Sequence, residues 1–223
     1  LIPAFAVGRT QEIVYDLHAL ALAGQIPQVP IYIDSPLAVD ITSVFEMHPE
    51  VFEYGEDLLR AVTDPLRFPL VHYVRSVEES KALNSMKGPM VIISASGMAE
   101  TGRILHHLAH GASDPRNTIL IVSFQAEHTL GRRIVERRPM IRIFGEETPL
   151  RAHVEVLNGY SAHADRNGLI AWAEQVKVQS PRLGAVYLVH GEPPAQDALS
   201  EALVGRGFRV SAPTRGMRVP VTD

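Results

Sequence analysis

The sequence predicts an α/β protein built on a doubly wound, mostly parallel sheet. Three observations carry that class. Apolar runs with the length of buried strands alternate with segments whose apolar residues recur at helical spacing. The junctions fall on glycine, proline, serine and aspartate, the residues that start and stop helices. In the second half a histidine twice follows an apolar run, in Gly159-Tyr160-Ser161-Ala162-His163-Ala164-Asp165 and in Leu188-Val189-His190-Gly191-Glu192, with a helix-like segment between them. Strand, helix, strand is a βαβ unit, which would set both histidines at the carboxyl edge of one sheet.

The chain of 223 residues has room for one large or two small domains around a buried core. Its formal net charge of −4 argues against a domain that coats nucleic acid by charge alone, and leaves room for a local basic groove. It has no cysteine, which excludes disulfides and cysteine-ligated zinc. A metal would have to use histidine, carboxylate or water. No apolar run is long enough to span a bilayer. Leu1 opens inside a strand-like run, without Met and without the basic segment of a signal peptide, so a piece of a longer chain is expected.

Residues 1–7 read as the first strand. It ends at Gly8-Arg9-Thr10-Gln11-Glu12, after which Ile13, Val14, Leu17, Leu20 and Ala21 recur at helical spacing. Thr10 is the expected N-cap, and Glu12 complements the helix dipole. A glycine turn between strand and helix offers backbone N–H groups to an anion such as phosphate; the alternative is a plain turn with Arg9 on the surface. Gly24-Gln25-Ile26-Pro27 ends the helix, and residues 29–33 form the next strand. Ser35 then suits an N-cap and Pro36 the first helical position. Asp34, at a strand's carboxyl end, is either a functional carboxylate or a turn residue. Residues 39 to about 60 read as helix interrupted at His48-Pro49, 64–68 as loop, 70–74 as strand and 76–86 as a surface helix. His48 and His72 have no partner pattern and are read as structural.

Residues 89–93 form a buried strand. Ser94-Ala95-Ser96-Gly97-Met98-Ala99-Glu100-Thr101-Gly102-Arg103 follows as a second backbone-rich loop ahead of a helix. His106 and His107 are adjacent on that helix and diverge by about 100°, so packing or inter-helix hydrogen bonding is expected rather than a shared metal. Residues 117–122 form a strand. A helix opening at Gln125 carries Arg132, Arg133, Arg137 and Arg138, with Arg142 beyond; this is either a solvated face or a guanidinium patch for phosphates. Strands at 140–144 and 153–157 bracket a turn at 145–149, where a domain change is placed. A helix at 168–176 with Trp172 on its apolar face, a strand at 183–189, a helix at 197–204 and a strand at 208–210 complete the chain.

Together these motifs resemble the β-CASP family of RNA-processing nucleases with the metallo-β-lactamase fold. Ile2-Pro3-Ala4-Phe5-Ala6-Val7-Gly8-Arg9-Thr10-Gln11-Glu12 resembles the opening of the β-CASP domain. Asp34-Ser35-Pro36-Leu37-Ala38, Ser96-Gly97-Met98, Gly102-Arg103 through Leu105-His106-His107-Leu108, and Thr129-Leu130-Gly131-Arg132 follow in the family's order. Ser161-Ala162-His163-Ala164-Asp165 resembles motif B and Val189-His190-Gly191-Glu192 motif C. The resemblance covers nearly the whole chain and points to prokaryotic homologues of the endonuclease subunit of the pre-mRNA 3′-end cleavage machinery. It implies a Rossmann-like β-CASP cap at residues 1–147 and the C-terminal part of a metallo-β-lactamase αββα domain at 148–223. The family's His-x-His-x-Asp-His motif does not occur in this sequence, and Asp34 is not taken for the family's acidic motif A.

The resemblance makes His163 and His190 catalytic residues. His190 is expected to ligate one of two zinc ions (Zn2+), and His163 to stabilise charge at the phosphate or protonate the leaving oxygen. Asp165 would orient His163 or cap a helix. Arg9, Ser96, Gly97, Arg132 and Ser161 are the expected substrate contacts. The implied substrate is single-stranded RNA, read with weak sequence preference because few aromatics lie near these loops. A homodimer, no membrane partner and a cytoplasmic location are expected. The whole protein would hydrolyse RNA with two zinc ions, and these residues alone would be inactive, since one histidine does not make a catalytic zinc site. The alternative is a non-catalytic β-CASP scaffold or RNA-binding subunit of an RNA-processing complex. A dinucleotide binder is a third reading and lacks Gly-x-Gly-x-x-Gly after the first strand.

Overall fold

A computed structural model describes residues 1–48 and 64–219; the expected continuation of a helix to about residue 60 lies outside the described residues. The chain divides into two compact units, Leu1–Tyr160 and Ser161–Asp223. Residues 148–160 thus pack with the first unit.

In the first unit β1 (Ile2–Pro3), β2 (Ile31–Ile33), β3 (Val71–Tyr73) and β4 (Val91–Ser94) form a parallel sheet in the order β1-β4-β2-β3. The register pairs Ile2 with Ile93 and Ile31 with Val91. These strands read as apolar runs because both faces are covered; Ile31, Ile33 and Ile93 are buried. On the other side of β1 lies β5 (Thr118–Ile121), where the Leu120 N–H donates to the Leu1 carbonyl at 2.9 Å. β5 pairs in parallel with β8 (His153–Val156), Ile119 opposite Val154. The architecture is the α/β class expected, with mostly parallel strands.

Local chemistry sets where the helices begin. α2 (Pro36–Met47) starts as expected, with the Ser35 hydroxyl accepting from the Ala38 N–H at 3.3 Å. α3 (Val77–Leu83) has a full capping box from Ser76 and Glu79. α1 (Arg9–Leu22) departs from expectation: its N-cap is Gly8, and Thr10 Oγ1 instead donates back to the Phe5 carbonyl at 2.8 Å. α4 (Ile104–Gly111) follows the second loop. α5 is only Leu130–Val135, because the Thr129 hydroxyl accepts from the Arg132 N–H at 3.1 Å and starts the helix later than Gln125. One core gathers Ile104, Leu108, Ile119 and Ile134; a second gathers Ile13, Ile31, Ile33 and Ile93, and a smaller one Val74, Leu83 and Ile92.

Three expectations are corrected. Residues 145–149 are not all turn: β6 (Met140–Ile143) and β7 (Glu146–Pro149) form an antiparallel hairpin. Phe144 and Gly145 have φ of 52° and 86°, the pair of positive values that a tight two-residue hairpin turn requires. The expected βαβ unit is not formed by the two strands before the histidines. β8 pairs with β5, placing Val154 in the first unit's core, whereas β9 (Val186–Tyr187) pairs in parallel with β10 (Val210–Ser211). The crossover between β9 and β10 is α7 (Pro193–Val204). Finally, Trp172 is 65% exposed on α6 (Arg166–Gln179); the stripe that packs is Ile170 and Ala173, against Leu203 and Phe208. Among the described residues no helix is long and apolar enough to cross a membrane.

Candidate functional site

Three loops leave the carboxyl ends of β4, β1 and β5, which lie side by side, the position where open α/β sheets carry their ligands. The middle loop ends at Gly8, whose φ of 75° turns the chain into α1 with no side chain capping its amides. The loop after β4 is closed by Ser96, whose hydroxyl accepts from the N–H groups of Glu100 and Thr101 at 3.2 and 3.3 Å. Gly97 is buried, and a Cβ there would lie 2.9 Å from the Phe5 ring. Its carbonyl accepts from Gln125 Nε2 at 2.9 Å and from the Ser123 hydroxyl at 3.3 Å, tying the third loop to the second.

Arg9, expected at the substrate, has a side chain only 10% exposed and ion-paired with Glu12. Its guanidinium stacks over the Tyr160 ring, 5.2 Å from the centroid, and its Nε is buried without a hydrogen-bond partner among the described residues. The Tyr160 hydroxyl donates to Asp16 Oδ2 at 2.5 Å. Burial first, and then that bond to Asp16, push the phenol well above its usual range. The 3₁₀ turn Asn158–Tyr160 is thereby fastened to α1, just ahead of the His163 motif.

The arginine-rich stretch is largely satisfied internally. Arg132 pairs with Glu136 at 3.0 Å and reaches the Gln125 carbonyl at 3.4 Å; Arg138 also holds Glu136, at 2.8 Å. Arg133 and Arg137 donate to the carbonyls of His128 and Val154. Asp34 is likewise a structural hub. It is fully buried and accepts from Ser80 Oγ at 2.5 Å and Arg103 Nη1 at 2.7 Å, with His107 Nε2 2.7 Å away. Burial pushes its carboxyl up, but the bonds from His107, Ser80 and Arg103 outweigh that and hold it below the usual range. His106 is exposed and its ring lies 4.7 Å from that of Phe144, so the two adjacent histidines diverge.

In the second unit His163 and His190 come together, with ring centroids 5.9 Å apart and planes inclined by 45°. Both are exposed. The Ser161 hydroxyl accepts from the His163 backbone N–H at 3.3 Å. Asp165 caps α6 through the Gly168 N–H at 2.7 Å. His190 has φ of 76°, followed by Gly191 at 98°, so the chain reverses sharply there. Gln196 of α7 holds that reversal by donating to the His190 carbonyl at 3.1 Å. Two imidazoles in this arrangement suit zinc in donor type. Among the described residues no cluster of three or more histidines and carboxylates could hold a metal ion, so a catalytic site needs donors beyond this pair.

Sequence reading missed the exposed aromatics of the first unit's loops. Phe5 falls inside the first strand-like run and Phe124 just beyond the run at 117–122, yet they are 42% and 54% exposed. They are exposed because the strands stop before them, β1 at Pro3 and β5 at Ile121, which the sequence does not mark.

A family model described as the Beta-Casp domain matches residues 10–134, and one described as the Zn-dependent metallo-hydrolase RNA specificity domain matches residues 147–213. Ribonuclease TTHA0252 of Thermus thermophilus is 43% identical over 225 residues, covering 99% of this chain and 49% of its own length. Transcription termination factor FttA of Pyrococcus abyssi is 35% identical over 200 residues, 86% of this chain and 30% of its own. An RNase J-like protein of Methanocaldococcus jannaschii is 29% identical over 228 residues, 99% of this chain and 50% of its own. The chain spans half the length of these relatives or less.

Proposed function

Because the chain belongs to the Beta-Casp family, we propose that it is the RNA-guiding and partly metal-holding portion of a zinc-dependent ribonuclease that hydrolyses single-stranded RNA. The observation that carries this reading is the ring contact between His163 and His190 inside the segment matched by the Zn-dependent metallo-hydrolase RNA specificity model.

His190 offers a neutral imidazole nitrogen to one of two zinc ions, and the Gln196 bond to its carbonyl fixes the reversal from which that ring projects. When bound, zinc supplies Lewis-acid charge at the scissile phosphate and activates water for attack. His163 as imidazolium donates an N–H proton to the leaving oxygen or offsets the phosphate charge. Ser161 steadies the His163 backbone and Asp165 starts the following helix. The loops holding Arg9, Ser96, Gly97 and Arg132 form the substrate side of the first unit. With two imidazoles against a need for about three protein ligands, these 223 residues alone bind zinc weakly and do not cleave RNA.

The test uses a longer protein that also carries the region its relatives possess beyond this match. His163→Ala lowers kcat for RNA cleavage by ~10²–10⁴-fold with zinc content unchanged. His190→Ala loses zinc and activity together. Two variants that cleave as well as the parent would overturn the assignment. A second reading, a part in transcription termination, is favoured by the name of the Pyrococcus abyssi relative. Termination activity that survives both alanine variants would select this non-catalytic role.

A further inference from the structure

We infer that Phe5 and Phe124 form a base-stacking subsite that takes nucleobases of single-stranded RNA at the carboxyl edge of the first unit's sheet. The inference rests on the RNA reading above and adds a base contact to it.

The two rings belong to one locus. Phe5 lies on the loop after β1 and Phe124 on the loop after β5, and these strands are neighbours through the Leu1–Leu120 bond. Gly97 stands between them. The Phe5 ring lies so close over Gly97 that a Cβ there would approach it to 2.9 Å. The Gly97 carbonyl is held by Ser123 and Gln125, the two residues that flank Phe124.

Both rings project from fixed backbone. The Phe5 carbonyl accepts from the Thr10 hydroxyl at 2.8 Å and from the Thr10 N–H at 3.2 Å. Gln125 Nε2 also donates to the Ser123 carbonyl at 3.0 Å. A phenyl on a fixed backbone loses little conformational freedom when a base stacks on it, because only two side-chain torsions remain.

The surroundings favour nucleic acid over a protein segment. The Gly97 carbonyl and the polar groups of Ser123 and Gln125 that hold it lie at this locus. A guanidinium lies on the Phe124 loop, where Arg132 donates to the Gln125 carbonyl at 3.4 Å. Arg132 and its partner Glu136 are both partly exposed, so a phosphate can displace or share that glutamate. Exposed aromatic rings with a partly exposed arginine at the same locus match a polyanion that carries stackable bases, and such stacking tolerates any base.

Binding to the chain is measured by fluorescence anisotropy with a chelator present, using a short oligoadenylate and an abasic strand of the same length. Phe5→Leu and Phe124→Leu keep apolar volume and remove the π face; Phe5→Tyr and Phe124→Tyr keep it. Each leucine variant weakens oligoadenylate binding by ~5–150-fold, the range expected for one stacked base. The tyrosine variants retain parental affinity, and the abasic strand binds all five proteins alike. Leucine variants that match the parent on oligoadenylate overturn the inference, as does an equal loss on the abasic strand or no oligoadenylate binding by the parent. Weaker docking of the rest of the longer protein by the leucine variants, with RNA affinity unchanged, overturns it in favour of a protein contact. The nuclease reading fails separately, if the zinc-loaded longer protein binds RNA through these rings and does not cleave it.

Discussion

Nε2 of His107 lies 2.7 Å from Oδ2 of Asp34, and neither side chain reaches solvent. The remaining contacts explain how a buried carboxylate is tolerated. Arg103 takes Oδ1, Ser80 shares Oδ2, and Asn84 Oδ1 sits 2.8 Å from His107 Nδ1. One cluster therefore joins the end of β2 to α3 and to the start of α4. Asp34→Asn leaves Arg103 without its buried partner and should destabilise the first unit by ~3 kcal/mol. Urea unfolding at neutral pH measures it, and a loss within ~0.5 kcal/mol would show that the cluster is not coupled to folding.

The same carboxylate sets a pH dependence. Its folded value is held below the ordinary 3.8, so in the acid range the unfolded chain binds more protons than the folded one. The stability it contributes is present above 3.8 and is lost as pH falls through the lower folded value. Urea midpoints taken downward from pH ~5 should fall more steeply for the parent than for Asp34→Asn, with the two curves converging in acid. Parallel curves would place the acid sensitivity in other carboxylates.

The strand–helix alternation was legible because Ile31, Ile33, Ile93 and Ile119 are buried by helices on both faces and leave continuous apolar runs. Ser35 and Pro36 announced α2, and the divergence of His106 from His107 followed from helix geometry alone. Pairing partners were not legible. Nothing near Val154 says that its strand lies beside β5, and nothing near Val186 names β10. The hairpin at Phe144-Gly145 was hidden because β7, Glu-Glu-Thr-Pro, has no apolar run and shows no alternation. Asp34 was ambiguous for a related reason: what decides its role is Arg103 and His107, far away in sequence. At the candidate site the two histidine motifs could be read locally, whereas the exposure of Phe5 and Phe124 depends on where their strands stop pairing.

Gly102 has φ of 84°, and a Cβ there would lie 2.4 Å from the Ala95 carbonyl oxygen. The obstacle is backbone, so no side-chain rotation relieves it. Gly102→Ala should therefore displace the loop between β4 and α4, destabilising by ~1–3 kcal/mol from the backbone conformation alone, with the clash in addition. Gly88→Ala is the control: φ there is 114° and nothing lies within 4 Å of the new Cβ, so it carries the conformational part only. Equal melting temperatures for the two variants would show that the Ala95 contact is relieved by small shifts.

Tyr160 joins the end of the first unit to α1 through its hydroxyl on Asp16 and its ring under Arg9. Burial and Asp16 raise its phenol above the ordinary 10.0, so in alkali the unfolded chain loses this proton before the folded one does. The contribution is complete below pH 10.0 and declines as pH rises through the folded value. Tyr160→Phe keeps the ring beneath the Arg9 guanidinium and removes only the bond to Asp16. A hydrogen bond to a charged acceptor contributes ~1.5–3 kcal/mol when well shielded, and this half-buried one should fall near the lower end, with the parent's advantage shrinking above pH ~10. Asp16→Asn in the Tyr160→Phe background should add less than it costs alone, because the two changes remove the same contact. Full additivity in that double-mutant cycle would sink the link between α1 and the turn that leads to His163.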